Sequence, residues 1–149
     1  MVQTDSTFQP RREETGRRWR RTLGSTGLVL AAVMAIFNLV NGITSSIDPT
    51  IGLDEGVAPQ PMWMSVALIG FGALTLLVLV PAWRGRPAAV WVVIVSRLVE
   101  AWSAVALPFL PGAPDGMWPF VVALVIGGTI VAGLVALRLD SRATGVAQP

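Results

Sequence analysis

The sequence predicts an all-α integral membrane protein, a bundle of four transmembrane helices with both termini in the cytoplasm. The first observation is composition: of 149 residues, 53% are hydrophobic and 13% are charged, whereas soluble domains carry about 25% charged residues. The second is arrangement, since four long apolar runs alternate with short charged connections. The third is the one-sided distribution of the arginines, which predicts the orientation.

Each apolar run is long enough to cross a bilayer. The runs cover residues 23–45, 62–83, 88–110 and 117–138, and at 1.5 Å per residue each spans about 30 Å of hydrocarbon as a helix. Helices are expected because an open strand would leave backbone groups unpaired in lipid. The first run is too long for the apolar part of a signal peptide and lacks an Ala-x-Ala cleavage site, so we expect it to be retained.

The arginines predict which side of the membrane each connection occupies. All eleven basic residues are arginine, and ten of them fall on the side that holds both termini and the second connection. The opposite side has none, which predicts cytoplasmic termini in a multi-pass protein of the cell inner (plasma) membrane. We therefore divide the chain into a basic cytoplasmic juxtamembrane segment (1–22), a transmembrane domain (23–140) and a disordered cytoplasmic tail (141–149). The ten are Arg11, Arg12, Arg17, Arg18, Arg20, Arg21, Arg84, Arg86, Arg138 and Arg142, and the acidic residues opposite are Asp48, Asp54, Glu55 and Asp115.

The juxtamembrane segment predicts a contact with membrane lipids. Arg17, Arg18, Arg20 and Arg21 stand just before the first span, where each basic residue near an anionic surface contributes about 1 kcal/mol of binding. We expect them to contact anionic headgroups at the cytoplasmic face; in the alternative interpretation they only determine topology. Arginines clustered in this way favour a membrane surface over nucleic acid as the partner.

The third span carries charged residues deep in the bilayer. Arg97 and Glu100 lie three residues apart and so share one face of a helix. A charge at this depth costs at least about 2.5–3.5 kcal/mol, so we expect the two to face protein and to pair with each other. Asn38 lies within about 3 Å of the depth of Glu100, Asn41 follows it by three residues, and Thr129 lies near the middle of the fourth span. We predict a polar seam of these five residues.

Two interpretations of the polar seam stay open. In the structural one, the polar side chains determine which helices pack together, through contacts that average only about 0.6 kcal/mol in membranes. In the functional one, they bind or transport a small molecule or a lipid headgroup near the midplane. Catalysis is disfavoured because the sequence has no cysteine or histidine and no metal-ligand or nucleotide-binding motif. No catalytic residue, cofactor or metal is therefore predicted.

Small residues in the fourth span predict close helix packing. Ala123 with Gly127, and Gly128 with Ala132, form two pairs separated by three residues, a spacing that lets helix backbones approach. They serve contacts within the bundle or between copies of the chain, and we favour contacts within the bundle.

Short segments also carry a resemblance. A basic N-terminus, the segment FNLVNGI in the first span, a short acidic loop and the segment SRLVEAW in the third span resemble small four-span bacterial membrane proteins of actinobacterial type, some of them grouped as DoxX-like. The resemblance implies association with partner enzymes or with thiol and oxidative-stress systems. Because the chain has no cysteine, a thiol would have to belong to the partner. The resemblance transfers no site residue.

These observations lead to one functional expectation and one alternative. We expect a non-enzymatic accessory or assembly subunit of a membrane complex, in contact with membrane lipids and with another membrane protein or a second copy of the chain. The alternative is a protein that binds or transports a small molecule or lipid headgroup at the midplane, around Arg97 and Glu100.

Overall fold

A computed structural model of the protein describes residues 9–50, 59, 61–110, 113 and 116–143, and the side chains of all of these except 9–14, 17 and 140–143. Within these ranges the chain forms α1 (Gln9–Ile47), α2 (Met62–Trp83), α3 (Pro87–Ser103) and α4 (Trp118–Ala143), with a 3-10 helix, Ala104–Phe109, continuing α3. The predicted fold class is confirmed: the protein is an all-α bundle of four helices long and apolar enough to span a membrane. The candidate spans are Arg18–Ile47, Met62–Trp83, Pro87–Phe109 and Trp118–Leu139.

Two helices extend beyond the runs predicted from hydropathy. α1 begins at Gln9 and continues into the first span, so the described part of the juxtamembrane segment belongs to the same helix. Pro10 lies in the first turn of α1. The N–H groups of a first turn have no acceptor within the helix, so the missing N–H of proline costs no hydrogen bond there. α4 continues to Ala143, so residues 141–143 of the tail that we expected to be disordered are helical. Residues 1–8 and 144–149 lie outside the described residues.

The third span changes its type of helix before it ends. α3 ends at Ser103, and the chain continues as the 3-10 helix to Phe109. Pro108 lies within this last segment, and in an α-helix its ring would clash with the carbonyl group four residues earlier. The third span therefore continues as a 3-10 helix and ends at Phe109, one residue before the predicted end at residue 110.

The connections at the two ends of the bundle are formed by turn residues. Only residues 84–86 separate α2 from α3; Gly85 has a φ of +76°, which other residues rarely adopt, and Pro87 begins α3 where proline is favoured. Beyond α1, the Asp48 carboxylate accepts hydrogen bonds from the Thr50 hydroxyl and N–H at 2.6 and 2.9 Å, which lower the pKa of Asp48 below its ordinary value. Three of the acidic residues predicted to lie on the side opposite the arginines are outside the described ranges: Asp54, Glu55 and Asp115.

The four helices alternate in direction and pack in a ring. Each helix contacts its neighbour in the chain, and α1 also contacts α4. The start of the first span, the α2–α3 turn and the end of α4 therefore share one end of the bundle. We call this the basic end, because it holds Arg18, Arg21, Arg84, Arg86 and Arg138. The main apolar core consists of Leu28, Ala31, Ala82, Ala89, Val90, Val93, Ile94, Val131, Ala132 and Val135.

Glycine residues bring neighbouring helices into backbone contact. A Cβ atom added to Gly72 of α2 would lie 2.7 Å from the Ala35 carbonyl oxygen of α1, and one added to Gly128 of α4 would lie 2.5 Å from the Cβ of Ala101 in α3. Neither position has space for a side chain, which is how small residues permit close packing of membrane helices. Of the two small-residue pairs predicted in α4, the pair that begins at Gly128 is buried. In the other pair Ala123 is exposed, and a Cβ atom added to the half-buried Gly127 would meet nothing within 4 Å.

Candidate functional site

Arg97 is buried in the bundle interior although it is charged. On α3 the buried residues Val90, Val93, Ile94 and Ala101 recur at helical spacing, and Arg97 lies on the same inward-facing stripe. The residue is 1% exposed, and its side chain is the largest fully buried one among the described residues. A charge in this position requires partners from the protein.

Thr75 of α2 supplies the first partner of Arg97. The Nη2 atom of Arg97 donates a hydrogen bond of 2.9 Å to Thr75 Oγ1, which lies 3.2 Å from Ser96 Oγ. Because Ser96 donates its hydroxyl hydrogen to the Val93 carbonyl at 3.0 Å, Thr75 is the donor in its contact with Ser96. A chain of hydrogen bonds thus runs from the guanidinium through two hydroxyls to the α3 backbone, and it joins α2 to α3.

Glu100 links this group to α1. Its Oε2 atom lies 2.7 Å from Arg97 Nη2 as an ion pair, without the angle of a hydrogen bond, and its Oε1 atom accepts a hydrogen bond from Asn38 Nδ2. Asn38 is buried, and the Glu100 side chain is 15% exposed. Both carboxylate oxygens therefore have a protein partner. Three helices meet in this group, which we call the central polar cluster: Asn38, Thr75, Ser96, Arg97 and Glu100.

Part of the Arg97 guanidinium has no hydrogen-bond partner among the described residues. Its Nε and Nη1 atoms are buried, and neither forms a hydrogen bond with any of the described residues. These two atoms carry three N–H donors, and a buried donor left without an acceptor costs about 1–3 kcal/mol. A hydrogen-bond acceptor placed beside Nε and Nη1 would therefore bind favourably, because it would satisfy these donors.

The structure brings together three of the five residues predicted for the polar seam. The side chains of Asn41 and Thr129 are exposed at the outer surface, away from the cluster. Each of them is next in sequence to a glycine that packs against another helix. Gly128 precedes Thr129, and Gly42 follows Asn41. Because successive helical residues point about 100° apart, the neighbours of these inward-facing glycines are turned outward. The three residues that meet are Asn38, Arg97 and Glu100.

Thr75 and Ser96 are the cluster members that the seam prediction lacked. On α2 the buried residues are Ser65, Gly72, Thr75 and Ala82, all small and separated by seven, three and seven residues, so that they form one stripe along the helix. Most other residues of this span are large and apolar, and these can face lipid. A stripe of small residues was therefore the signal in the sequence for the inward face of α2.

The chemistry available within the cluster is hydrogen bonding and charge pairing. Glu100 is the only acidic residue within the four candidate spans, and its oxygens are engaged by Asn38 and Arg97. Among the described residues, no group of three or more His, Cys, Asp or Glu side chains could hold a metal ion.

Arg138 joins three helices at the basic end. Its Nη1 atom donates a hydrogen bond of 2.7 Å to the Trp83 carbonyl oxygen, and its Nη2 atom donates one of 2.6 Å to Ser25 Oγ. The guanidinium carbon lies 5.2 Å from the centre of the Trp83 ring, within the range of a cation–π interaction. Arg138 thus holds the start of the first span and the end of α2 against α4.

The arginines predicted to contact lipid headgroups have different surroundings. Two of them line a surface depression of about 370 Å³ at the basic end. Arg20 is exposed but is not among the lining residues, and the side chain of Arg17 lies outside the described residues. We call this feature the basic depression; among the described residues it is lined by Arg18, Arg21, Thr22 and Ser25.

Comparison with known proteins identifies no family for the chain. No protein-family model matches it, and neither a curated protein nor a solved structure matches it. The resemblance to DoxX-like proteins therefore rests on the four-span architecture and on short segments of the first and third spans.

Proposed function

We propose that the protein is a non-enzymatic accessory or assembly subunit of a complex in the cell inner (plasma) membrane. The observation that carries the proposal is the engagement of Glu100, whose oxygens pair with Asn38 and Arg97. A general acid or base must come within hydrogen-bonding distance of a substrate, whereas this carboxylate is held by its own bundle. The polar interior then serves to position the helices, and the outer surface is left to meet other molecules.

The distribution of charge supports an orientation with cytoplasmic termini. The basic end gathers arginines from α1, from the α2–α3 turn and from α4. The connections at the opposite end carry acidic residues and no arginine. Under the positive-inside rule the basic end lies in the cytoplasm, which places the first turns of α1 within reach of the cytoplasmic part of a partner.

A partner within the membrane would meet the lipid-facing side of the bundle. Every helix exposes large apolar side chains there, and association between membrane helices depends on packing of such surfaces. The resemblance to DoxX-like proteins, which are associated with partner enzymes, agrees with a subunit role. One well-exposed residue from each span is Phe37, Leu77, Trp102 and Ile126.

Photo-crosslinking in native membranes tests the proposal. A photoreactive amino acid replaces Phe37, Leu77, Trp102 or Ile126 in turn, and Val93, which is fully buried, serves as the control position. We expect positions on one side of the bundle to form a reproducible adduct with one other membrane protein, and the control to form none. Adducts with lipid alone at every exposed position would contradict a subunit role. Adducts with a second copy of the chain would point to a homo-oligomer instead.

A second candidate function is the binding or transport of a small molecule or lipid headgroup at the central polar cluster. The Nε and Nη1 atoms of Arg97 favour it, because neither has a hydrogen-bond partner in the part of the chain that the structure describes. Mass spectrometry of the protein purified in mild detergent separates the two candidates, with the double variant Arg97→Gln/Glu100→Gln as the comparison. A ligand that is retained by the wild type and lost from a folded double variant supports the second function. A wild type without ligand, combined with a less stable double variant, supports the first.

A further inference from the structure

One exposed face of α1 changes from cationic to apolar along its length. Its residues are separated by three or four positions, so they lie on the same side of the helix. The first three, Arg18, Thr22 and Ser25, belong to the basic depression. The next three are Val29, Val33 and Ile36, which are 50, 59 and 53% exposed; we call them the apolar stripe. A phospholipid has the same division between a charged headgroup and apolar chains. In order along α1 the residues are Arg18, Thr22, Ser25, Val29, Val33 and Ile36.

The basic depression concentrates positive charge. Arg18 and Arg21 are exposed, and among the described residues neither forms an ion pair with a carboxylate. Arg138 adjoins them from α4, with its Nη2 atom 2.6 Å from Ser25 Oγ, and it lies close enough to Arg21 for the two positive charges to repel each other. An anion in the depression would relieve this repulsion, because arginine forms its strongest hydrogen bonds with carboxylate and phosphate groups.

The hydrogen-bond donors of the depression are its guanidinium groups. Thr22 Oγ1 donates to the Arg18 carbonyl at 3.0 Å, and Ser25 Oγ donates to the Arg21 carbonyl at 2.9 Å, so both hydroxyl hydrogens are used within α1. Each guanidinium presents up to five N–H donors in a planar fork, which fits the oxygens of a phosphate in pairs. Arg18 and Arg21 are thus the residues that would bind a phosphate, while Ser25 helps to position Arg138.

The depth of the depression matches that of lipid headgroups. The first apolar run of the sequence begins at residue 23, between Thr22 and Ser25, so the depression lies across the point where apolar sequence begins. Trp83, about half exposed, lies at the same end of the bundle, and tryptophan is enriched at the boundary between headgroups and hydrocarbon. The apolar stripe continues from the depression into the span, where acyl chains run.

We propose that the basic depression binds the phosphate group of an anionic phospholipid, whose acyl chains lie along the apolar stripe. The membrane holds phospholipid headgroups at the depth of the depression, at a much higher effective concentration than a soluble phosphate compound reaches, which favours a lipid as the source of the phosphate. The proposal concerns one lipid at one place on α1, and it does not depend on the accessory role proposed above.

Two double variants with the same loss of charge test the site. Arg18→Gln/Arg21→Gln removes both binding groups, and Arg84→Gln/Arg86→Gln removes two charges from the same end of the bundle but outside the basic depression. Retention of phosphatidylglycerol is measured by native mass spectrometry on protein taken from bilayer nanodiscs of phosphatidylcholine and phosphatidylglycerol. We expect affinity for phosphatidylglycerol to fall about thirtyfold in the first variant, because it loses two arginine–phosphate hydrogen-bonding contacts. We expect it to change less than about threefold in the second, because solvent screens charges that are farther away.

Two further measurements identify the ligand and its chemistry. Inorganic phosphate is added to the wild type, and we expect it not to displace phosphatidylglycerol, because the bilayer keeps the lipid headgroup beside the depression at a high effective concentration. Arg18→Lys/Arg21→Lys keeps the charge without the planar fork, and we expect its affinity to lie between those of the wild type and the glutamine variant. An equal loss of affinity in both glutamine variants would overturn the proposal, since it would indicate diffuse attraction. Displacement by inorganic phosphate would also overturn it, because the site would then take a soluble phosphate.

Discussion

Replacing Thr75 with valine tests the contact through which α2 holds Arg97. The substitution changes the side chain little in size and removes its hydroxyl. Thr75 is fully buried; its Oγ1 atom accepts a hydrogen bond of 2.9 Å from Arg97 Nη2 and lies 3.2 Å from Ser96 Oγ. The variant therefore loses the hydrogen bond to a charged group and leaves Ser96 with one contact fewer.

The expected loss of stability follows from the charge on Arg97. A polar contact between membrane helices averages about 0.6 kcal/mol, whereas a hydrogen bond to a charged group contributes about 1.5–3 kcal/mol. The larger range applies here because Nε and Nη1 of Arg97 already lack partners among the described residues, and in the variant Nη2 would keep only its ion pair with Glu100. We expect Thr75→Val to lower the free energy of unfolding by about 1.5–3 kcal/mol.

Reversible unfolding by sodium dodecyl sulfate in mild-detergent micelles measures this loss, with the fluorescence of the six tryptophans as the signal. Thr129→Val is the matched control: it makes the same substitution at an exposed position, where we expect a change within about 0.5 kcal/mol. If Thr75→Val were no more destabilising than Thr129→Val, the hydrogen bond from Arg97 would not contribute to the stability of the bundle, and our reasoning on this contact would be refuted.

Two further predictions use the same unfolding measurement. Gly72→Ala would place a Cβ atom 2.7 Å from the Ala35 carbonyl oxygen and should cost about 1–3 kcal/mol; Gly70→Ala, which meets nothing within 4 Å, should be neutral or stabilising, and a similar loss in both would argue against the close α1–α2 contact. Asn38→Leu leaves a carboxylate oxygen of Glu100 without its donor and should cost about 1–3 kcal/mol. The exposed Asn41→Leu should stay within about 0.5 kcal/mol of the wild type, and equal losses at the two positions would place the hydrogen bond to Glu100 in doubt.

The sequence predicts the spans well because crossing a membrane depends on length and apolar character, both of which can be read along the chain. The predicted second run, 62–83, coincides with α2. Hydropathy does not show the start of α1, because its first turns are polar and hydropathy carries no information on a helix that continues out of the lipid. The spacing of charges does predict a short helix there, since Glu13 and Glu14 stand four residues before Arg17 and Arg18. The 3-10 segment around Pro108 was missed because apolar composition does not distinguish types of helix.

The central polar cluster was only partly predictable from the sequence. Helical rise gives the depth of a residue in the membrane, but it does not give the direction in which the side chain faces. Helical rise places Asn38 near the level of Glu100, and the two do form a hydrogen bond. Thr129 and Thr75 both lie near the middle of their spans, so depth alone could not choose between them. The choice depends on which face of each helix is buried. Both faces of a membrane helix are apolar, so hydropathy does not indicate the buried face, and on α2 only the stripe of small residues does.

A double-mutant cycle on Arg97 and Glu100 tests the central claim most directly, namely that the pair is an internally compensated link between helices. The quantity measured is the free energy of unfolding of Arg97→Gln, Glu100→Gln and the double variant. Each single variant leaves a buried charge without its partner and should cost about 3–5 kcal/mol. The double variant should cost less than the sum of the two, because both charges are gone and two amides can form a hydrogen bond. Losses that simply add, or single variants as stable as the wild type, would contradict the account.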